Sequence, residues 1–401
     1  MSAPELTDIL SPINLDNLRT YLSKVSSSSP QTHIGSVAEI PRDFTTVKQF
    51  TFGQSNPTYY LEDSAGRKFV LRRKPSPNAK LISKLAHAVE REFFILNGIN
   101  TINQTSQLKV PVPRVHLLCE DEGVIGYVFY LMDYVNGIQI KNPEIPGAST
   151  QERDEYWKSI ITTIAAIHSL DCEKLISLLP PQHFPQFQNI EKLKLSSYFQ
   201  RHIKTLTGIH KLQSKHVDPI PDFDKITQWI LHHGPKDPTK LTLIHGDLKI
   251  DNLLFNPATK QVCGVLDWEL CTIGHPLFDL SNFLQPFEFP NAVNRMMTRP
   301  NTTKMGRENQ ELQEFLYKQL SNYSKLVTWD PQDPSNDPTK LWILGHVFGL
   351  LRLSVISQGI AMRLKMGNAS SANASAFAGM YPSLSEMAIE YIDKEDRKAK
   401  K

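Results

Sequence analysis

One short stretch of the chain carries the side chains that phosphoryl transfer requires. Asp247 lies in it, Asn252 follows five positions later, and Asp267 comes after a further apolar run. A carboxylate can accept the proton of a hydroxyl and direct its oxygen at the γ-phosphorus of ATP. An amide and a second carboxylate supply the oxygen ligands that Mg²⁺ prefers. The spacing therefore favours Asp247 as the catalytic base, with Asn252 and Asp267 as magnesium ligands.

Each of these residues alone would have an ordinary structural explanation, because Asp and Asn are common in turns and at helix N-caps. The combination at strand ends makes the functional interpretation the stronger one. Lys249, two residues after the predicted base, is a candidate for neutralising the transferring phosphate. A solvated lysine is the alternative. Glu269 is a further candidate for contacting the metal or the substrate.

A polar loop between two predicted strands is the candidate for the phosphate-binding end of the site. Its backbone N–H groups and hydroxyl could bind phosphate oxygens, although many hairpin loops have the same composition. It is not a Walker A sequence, because no Gly-Lys-Ser/Thr follows. The residues of this loop are Gly53, Gln54, Ser55 and Asn56.

A cation follows on the next predicted strand, where the kinase plan places the side chain that binds the α- and β-phosphates and pairs with a helix Glu. Arg72 occupies this position, and Lys74 is the alternative cation. Glu92 lies beside Phe93 on the apolar stripe of the following helix, so we expect it to be the partner. An Arg would bind phosphate as a bidentate fork rather than as a point charge.

The segment Leu131–Tyr134 ends the strand-rich region and is the candidate for contacting adenine. We expect the backbone of Met132 and Tyr134 to offer hydrogen bonds to the base, as a kinase hinge does. A plain edge strand is the alternative interpretation.

Hydrophobic periodicity places these motifs on a coarse secondary structure. Five strands and one helix are predicted between residues 45 and 135, and a helical pattern begins at Thr150. Further helices are predicted at about 191–213, 222–233, 309–327, 339–364 and 383–393. The later strands are expected at 242–245, 253–255 and 262–266. Residues 287–305 are predicted to be a loop or flexible insert.

These patterns predict four segments. They are an N-terminal peripheral extension at 1–44, a nucleotide-binding lobe at 45–135, a catalytic and substrate-binding lobe at 136–395, and a basic tail at 396–401.

The motifs resemble those of the aminoglycoside phosphotransferase and choline kinase-like superfamily. A more specific resemblance is to the kinase-like domain fused to certain acyl-CoA dehydrogenases, here as a stand-alone protein. It covers about residues 45–395, and no dehydrogenase domain fits in the remaining chain. The motifs that carry it are 52–59, 70–75, 86–92, 245–252, 265–270 and 274–280.

The resemblance implies an α+β, protein-kinase-like bilobal fold, with a small lobe of antiparallel sheet plus one helix and a larger, mainly helical lobe. It implies ATP and Mg²⁺ as cofactors and a small-molecule hydroxyl as the phosphate acceptor, with a hydroxyacyl-CoA thioester as one candidate. Asp279 is expected to buttress the catalytic loop. Arg72 stands where many kinases have Lys, which leaves the mode of phosphate binding open.

Two other functions stay open at this point. A protein kinase is disfavoured because Gly246 and Trp268 replace the Arg and Phe of the usual protein-kinase motifs, and no Ala-Pro-Glu segment follows. A non-catalytic nucleotide-binding scaffold has Arg72 as its only support.

Composition restricts the partners and the compartment. A net charge of +3 over 401 residues gives no case for nucleic-acid binding. The apolar segment Leu341–Leu351 is too short to span a bilayer, so no membrane span is predicted. Four scattered cysteines and an N-terminus without a signal pattern favour the cytoplasm, with mitochondria or peroxisomes as alternatives. The sequence does not define the oligomeric state.

Overall fold

The structure is a computed structural model, and its described residues form two compact units. The first unit comprises residues 1–140, 147–188 and 249–271, and the second comprises 141–146, 189–248 and 272–401. The described residues are 4–25, 32–35, 40–51, 56–75, 88–195, 197–238, 240–296, 309–367 and 372–399.

In chain order, the described strands are β1 (Leu6–Thr7), β2 (Thr32–Ile34), β3 (Thr46–Phe50), β4 (Thr58–Glu62), β5 (Lys68–Arg73), β6 (Val115–Cys119), β7 (Phe129–Asp133), β8 (Ile138–Gln139), β9 (Leu243–Ile244), β10 (Leu253–Phe255), β11 (Val262–Val265) and β12 (Thr272–Ile273).

The described α-helices are α1 (Leu15–Lys24), α2 (Val89–Asn103), α3 (Thr150–His168), α4 (Cys172–Leu178), α5 (Ile190–Leu195), α6 (Tyr198–Gln213), α7 (Phe223–His233), α8 (Leu277–Leu284), α9 (Asn291–Met296), α10 (Gln310–Ser324), α11 (Pro338–Lys365), α12 (Ala372–Ala378) and α13 (Tyr381–Ala399). Short 3₁₀ helices lie at Pro185–Phe187, Ile250–Asn252, Trp268–Leu270 and Gln285–Phe287.

An antiparallel sheet of seven strands forms the framework of the first unit. Its strand order is β1-β3-β4-β5-β7-β6-β2. Strand β5 lies between β4 and β7, with Arg72 opposite Thr58 on one side and Tyr130 on the other. All five strands predicted between residues 45 and 135 are present. Because β5 is central, its side chains are held by neighbours on both edges, which suits a residue that must be positioned precisely.

The N-terminal segment is not peripheral, contrary to the sequence-based prediction. Strand β1 pairs with β3, and β2 pairs with β6, so this segment adds both outer strands of the sheet. Leu18 and Leu22 on α1 are fully buried in one core cluster with Leu61 and Leu117. The apolar stripe on α1 was visible in the sequence. Its burial was not, because strands of two or three residues carry no periodic signal and their partners are distant in the chain.

Replacement of Leu22 tests this correction. Leu22→Ala should lower the free energy of unfolding by about 2–5 kcal/mol, because it removes a fully buried side chain from a packed core. Leu10→Ala is the matched control, since Leu10 is 74% exposed. Urea denaturation of both variants measures the difference. Equal stability of the two would show that residues 1–44 are peripheral after all.

A second, three-stranded sheet in the first unit has the order β11-β10-β8. Strands β10 and β11 form an antiparallel hairpin in which Leu253 lies opposite Val265. Strand β8 pairs with β10 and was missed by the sequence analysis, because it has only two residues. This sheet determines where the residues before β10 and after β11 lie, and these are Asn252 and Asp267.

The second unit is built around α11, which packs against α6, α7, α8, α10, α12 and α13. Asp337 caps its first turn, and Pro338 occupies a position where its missing N–H costs nothing. Gly345 allows α8 to approach closely, because a Cβ there would lie 2.3 Å from Ser281 Oγ. By length and composition α11 could cross a membrane, but 72% of its most apolar window is buried within the protein, as in a core helix.

The helices predicted for the second unit are present, but the sequence analysis did not predict α8 and α12, and three further differences follow. The predicted helix at 191–213 is two helices, α5 and α6. The segment predicted as a loop at 287–305 contains α9, and residues 297–308 lie outside the described residues. The tail predicted to begin at residue 396 continues α13 to Ala399. The sequence also gave no signal for β12, whose two residues pair with β9.

Candidate active site

A cavity in the first unit brings both predicted magnesium ligands, Asn252 and Asp267, together with the predicted cation Arg72 and its partner Glu92. An aromatic and aliphatic set completes the lining. A mainly apolar pocket with a few polar groups is typical of a cofactor site, because the apolar walls bury a flat ring while the polar groups orient it. The apolar lining includes Phe50, Val70, Leu96, Met132, Leu254 and Val265.

The β10–β11 hairpin fixes the two candidate ligands next to each other along paired strands. The Leu266 N–H donates to the Asn252 carbonyl oxygen at 2.9 Å, which continues the ladder by one bond beyond the strands. Asp267 then turns away with φ of +69°, in the left-handed region that few non-glycine residues adopt. Such a conformation costs free energy and persists only where the surrounding structure holds it. Conformations of this kind are frequent at functional sites.

The chemistry of this residue pair fits Mg²⁺. This ion binds to proteins through one or two carboxylates and completes its shell with phosphate oxygens and water. Asn252 and Asp267 supply one amide and one carboxylate at the same cavity. Among the described residues there is no cluster of three or more His, Cys, Asp or Glu that could hold a metal alone. A magnesium ion held by Asn252 and Asp267 would complete its coordination with phosphate oxygens and water.

Arg72 is held by a group of carboxylates within the first unit. Its Nε lies 3.1 Å from Glu92 Oε2, and its Nη2 lies 2.7 Å from Asp267 Oδ1 and 3.6 Å from Glu269 Oε2. Burial lowers the pKa of Arg72, but Glu92 and Asp267 raise it more, and the net pKa is above the usual value. Burial raises the pKa of Glu92, although the guanidinium opposes this. Arg72 therefore stays charged, and its guanidinium contacts Asp267, the carboxylate predicted to bind the metal.

Glu269, one of the carboxylates around Arg72, also contacts the predicted phosphate loop. Asn56 is fully buried, and its Nδ2 donates to Glu269 Oε2 at 2.8 Å. Glu269 therefore connects Asn56 to Arg72, a role the sequence analysis did not identify. The other three loop residues, Gly53, Gln54 and Ser55, lie outside the described residues.

Lys74, the alternative cation, has a different partner. Its Nζ forms an ion pair with Glu90 on α2, and Lys74 is not among the cavity-lining residues of the described chain. This arrangement favours Arg72 over Lys74 as the residue that faces a bound nucleotide.

Arg72→Lys tests whether the fork geometry matters. A single ammonium cannot bond Glu92 and Asp267 with the same two-armed geometry, so ATP should bind about tenfold more weakly while the charge is kept. Arg67→Lys is the control, because Arg67 lies in the turn before β5 and its ion pair among the described residues is with Asp63. Calorimetric titration with Mg-ATP measures both. If Arg72→Lys binds ATP as tightly as the wild-type protein does, the fork has no role.

The candidate hinge lies in the interior of the sheet, so the edge-strand alternative is excluded. Met132 on β7 pairs with Val70 on β5 and with Val115 on β6. The Tyr134 N–H donates to the Lys68 carbonyl at 3.1 Å, and this donor is therefore used within the protein. The Tyr134 ring stacks on Phe50 with centroids 6.4 Å apart. Tyr134 lines the cavity, and its backbone N–H is already bonded within the sheet.

The loop that carries Asp247 belongs to the second unit and is fixed by α8. Both carboxylate oxygens of the fully buried Asp279 accept backbone N–H groups, from His245 at 2.6 Å and from Gly246 at 3.0 Å. Gly246 has φ of +85°, which explains the Gly at this position. The Asp247 N–H donates to His245 Nδ1 at 3.3 Å. Asp279 therefore buttresses this loop, and His245 orients it from within.

Asn282 is a further positioning residue that the sequence analysis missed. Its Nδ2 donates to the Leu248 carbonyl at 2.9 Å, one residue after Asp247. It lies one helical turn after Asp279 on α8, and this i, i+3 spacing was the available signal. Lys249 follows in the chain, belongs to the first unit, and has its Nζ 3.9 Å from Asp251 Oδ2. Its catalytic role stays a prediction.

Comparison with family models gives a match to the phosphotransferase enzyme family over residues 46–304. Acyl-CoA dehydrogenase family member 10 of Mus musculus is 32% identical over 350 residues, which are 86% of this chain and 29% of that protein. Family member 11 of the same species is 31% identical over 381 residues, which are 94% of this chain and 43% of that protein. The chain therefore spans less than half the length of these relatives.

Solved structures show the same kinase-like α+β fold. A protein from Ralstonia eutropha, provisionally assigned as an aminoglycoside phosphotransferase, is 27% identical with a TM-score of 0.70, over 96% of this chain and 99% of that one. Choline kinase from Cryptosporidium parvum is 13% identical with a TM-score of 0.55, over 96% of each chain. An ADP-bound aminoglycoside phosphotransferase is 15% identical with a TM-score of 0.51, over 86% of this chain and 95% of that one.

Proposed function

Because the chain belongs to the phosphotransferase enzyme family, we propose that it transfers the γ-phosphoryl group of Mg-ATP to a hydroxyl group of a small molecule. One observation carries this proposal. A single cavity is lined by apolar side chains, by an amide and carboxylate pair suited to magnesium, and by a carboxylate-held Arg72. These are the parts that positioning and charge neutralisation of a nucleotide require.

The residues would divide the work as follows. Phe50, Val70, Met132 and the Tyr134 ring would bury the adenine. Asn252 and Asp267 would hold Mg²⁺, which neutralises charge on the phosphate oxygens when it is bound. Arg72, freed in part from Asp267, would contact the phosphates with its fork, while Glu92 keeps it in place. Catalysis of this kind consists mainly of positioning and electrostatics.

Asp247 would accept the proton of the acceptor hydroxyl as its oxygen attacks the phosphorus. Two features support this role. Asp247 lies on a loop whose backbone is bonded to a fully buried carboxylate, Asp279, so its position is fixed. Its own backbone N–H is held by His245. A base fixed by the backbone in this way needs little reorganisation before reaction. Lys249 is the proposed neutralising cation on the same stretch.

We propose a hydroxyacyl-CoA or a related hydroxylated metabolite as the acceptor. Similarity to the acyl-CoA dehydrogenase family members supports this class, since their names place them with proteins of acyl-CoA chemistry. Similarity to choline kinase supports a small alcohol as the rival class.

A turnover assay over both classes tests the proposal. Purified protein with Mg-ATP should form ADP and a phosphorylated product with at least one hydroxyacyl-CoA, and not with choline or aminoglycosides. Omitting magnesium should abolish the product. Absence of any phosphorylated small molecule across hydroxyacyl-CoAs, choline, sugars and aminoglycosides would argue against the proposal. Phosphate incorporated only into protein substrates would instead support a protein kinase.

A further inference from the structure

A second group of residues in the second unit has properties that the proposed roles do not use. Arg352 on α11 places its guanidinium carbon 3.7 Å from the ring centroid of Phe278. Among the described residues, it has no carboxylate within ion-pair distance and no hydrogen-bond acceptor. It is only partly exposed, and burial lowers its pKa, although the charges of Asp247 and Asp279 act in the opposite direction. Phe278 directly precedes Asp279, the residue that holds the Asp247 loop, so Arg352 lies against the helix that fixes the predicted base.

The surroundings of Arg352 offer little else to balance its charge. Both oxygens of Asp279 already accept backbone N–H groups. The His202 ring packs edge-to-face with the same Phe278 ring, with centroids 5.9 Å apart. Burial, together with Arg352 and Arg201, lowers the pKa of His202 to about 3, so His202 is neutral at physiological pH. The nearby rings are aromatic and uncharged. A guanidinium in such a setting is expensive unless an anion joins it.

Tyr198 supplies an independent observation. It is 4% exposed, its ring lies 6.0 Å from Phe278 and 5.4 Å from His202, and its Oη has no hydrogen-bond partner among the described residues. Burial raises the pKa of Tyr198, although Arg352 opposes this, so the hydroxyl is neutral. A buried hydroxyl without a partner is uncommon, because it forfeits the hydrogen bonds that water would give. A ligand oxygen that bonded Tyr198 and Arg352 would satisfy both groups at once.

We infer that Arg352 and Tyr198 form a subsite for an oxyanion of the acceptor, so that the acceptor is a hydroxylated molecule that also carries a carboxylate or a phosphate. This subsite deepens the proposed function and rests on it, because the acceptor is the molecule whose hydroxyl would receive the phosphoryl group. Arg352 is the charged contact, Tyr198 Oη is the neutral donor, and Phe278 and His202 form the apolar wall. The anion would lie beside Asp247, and the hydroxyl of the same molecule would reach the base.

Binding measurements on the full-length protein test the subsite without requiring turnover. The probes are 3-hydroxybutyrate, which carries a carboxylate, glycerol 3-phosphate, which carries a phosphate, and methyl 3-hydroxybutyrate, which is neutral. Each is titrated in the presence of Mg²⁺ and a non-hydrolysable ATP analogue. A fourth probe, 3-hydroxybutyryl-CoA, carries its phosphates far from the hydroxyl. Its binding shows whether the oxyanion must lie close to the hydroxyl.

Arg352→Gln should weaken binding of the anionic probe that the wild-type protein prefers by about 10- to 100-fold, because a charge-assisted hydrogen bond is lost. Arg352→Lys should recover part of this loss. Tyr198→Phe keeps the ring and should weaken the same probe by about threefold to tenfold. The neutral ester should bind all variants alike. Arg363→Gln is the control, because Arg363 lies about three turns further along α11.

Two results would overturn the subsite. One is wild-type binding of the neutral ester as tight as that of both anions. The other is unchanged binding of the preferred anion by Arg352→Gln, in a variant whose thermal unfolding shows an intact fold. A large loss with the carboxylate probe assigns the subsite to hydroxy acids, and a large loss with the phosphate probe assigns it to phosphorylated alcohols. If binding changes as expected and no product ever forms, the subsite stands and the proposed transfer reaction fails.

Discussion

Asp247→Asn should lower kcat by about 10²–10⁴-fold while Mg-ATP binds almost as tightly as to the wild-type protein. The amide has nearly the same shape as the carboxylate but cannot accept the proton of the acceptor hydroxyl. The bonds that fix the loop come from Asp279 and from the His245 ring to backbone N–H groups, so the substitution leaves them intact. The loss should therefore appear in kcat rather than in stability.

Steady-state kinetics with the accepted substrate and calorimetric titration with Mg-ATP measure the two effects separately. Asp224→Asn is the matched control, since Asp224 is an exposed aspartate in the first turn of α7 in the same unit. It should have wild-type kinetics. If Asp247→Asn keeps more than a tenth of wild-type kcat, Asp247 is not the general base, because the contribution would fall below the range expected of one.

Asp267→Asn should weaken magnesium-dependent nucleotide binding by about 10- to 100-fold or more. Loss of a residue that only hydrogen-bonds to a metal ligand costs about that much in metal affinity, and Asp267 is proposed as a ligand itself. Asn is a better replacement than Ala at this position. The backbone of Asp267 is left-handed, and Asn tolerates that region better than Ala does. The substitution also weakens the 2.7 Å contact with Arg72, so the measurement must separate metal binding from folding.

The separation comes from titrating the nucleotide with and without Mg²⁺. For Asp267→Asn the magnesium-dependent part of the affinity should be lost, and the binding that remains without metal should match that of the wild-type protein. Asp121→Asn is the control, because Asp121 is an exposed turn residue of the same unit whose hydrogen bond to the Gly123 N–H an Asn can keep. Equal magnesium dependence in Asp267→Asn and wild-type protein would remove Asp267 from the metal site.

Much of the candidate site could be predicted because its signals are local in sequence. Asp247 and Asn252 lie on one short stretch, and Asp267 follows a buried strand, so residue type and spacing suffice to propose them. Arg72 and Glu92 were found by strand and helix position, and the structure has the ion pair between them. Asp279 was expected to buttress the loop, and it bonds two backbone N–H groups there.

The residues that sequence reasoning missed depend on contacts between distant parts of the chain. Glu269 connects Asn56 and Arg72, but the residue types alone did not say which carboxylate near Asp267 would make this contact. The hydrogen bond from the Tyr134 N–H to the Lys68 carbonyl depends on strand register, which a hydrophobic pattern does not specify. The burial of α1 depends on β1 and β2, whose pairing partners lie far away in the sequence.

The sequence does not identify the acceptor, for a related reason. The candidate acceptor residues come from α6, α8 and α11, which are distant in sequence and meet only in the fold. No motif or spacing in the sequence distinguishes Arg352 and Tyr198 as acceptor-binding residues. The contact of Arg352 with Phe278 and the unpartnered Tyr198 hydroxyl are what distinguish them from the rest.

The most direct test of phosphoryl transfer from ATP to a small molecule, with Asp247 as the base, is mass spectrometry of a cell metabolite extract incubated with the protein and γ-¹⁸O-labelled ATP. With wild-type protein and Mg²⁺, we expect labelled phosphate in one small molecule or one small class of molecules that bear a hydroxyl. With Asp247→Asn that signal should fall to background. Label that appears only in protein or only in inorganic phosphate, or that is equal for the two proteins, would contradict the assignment.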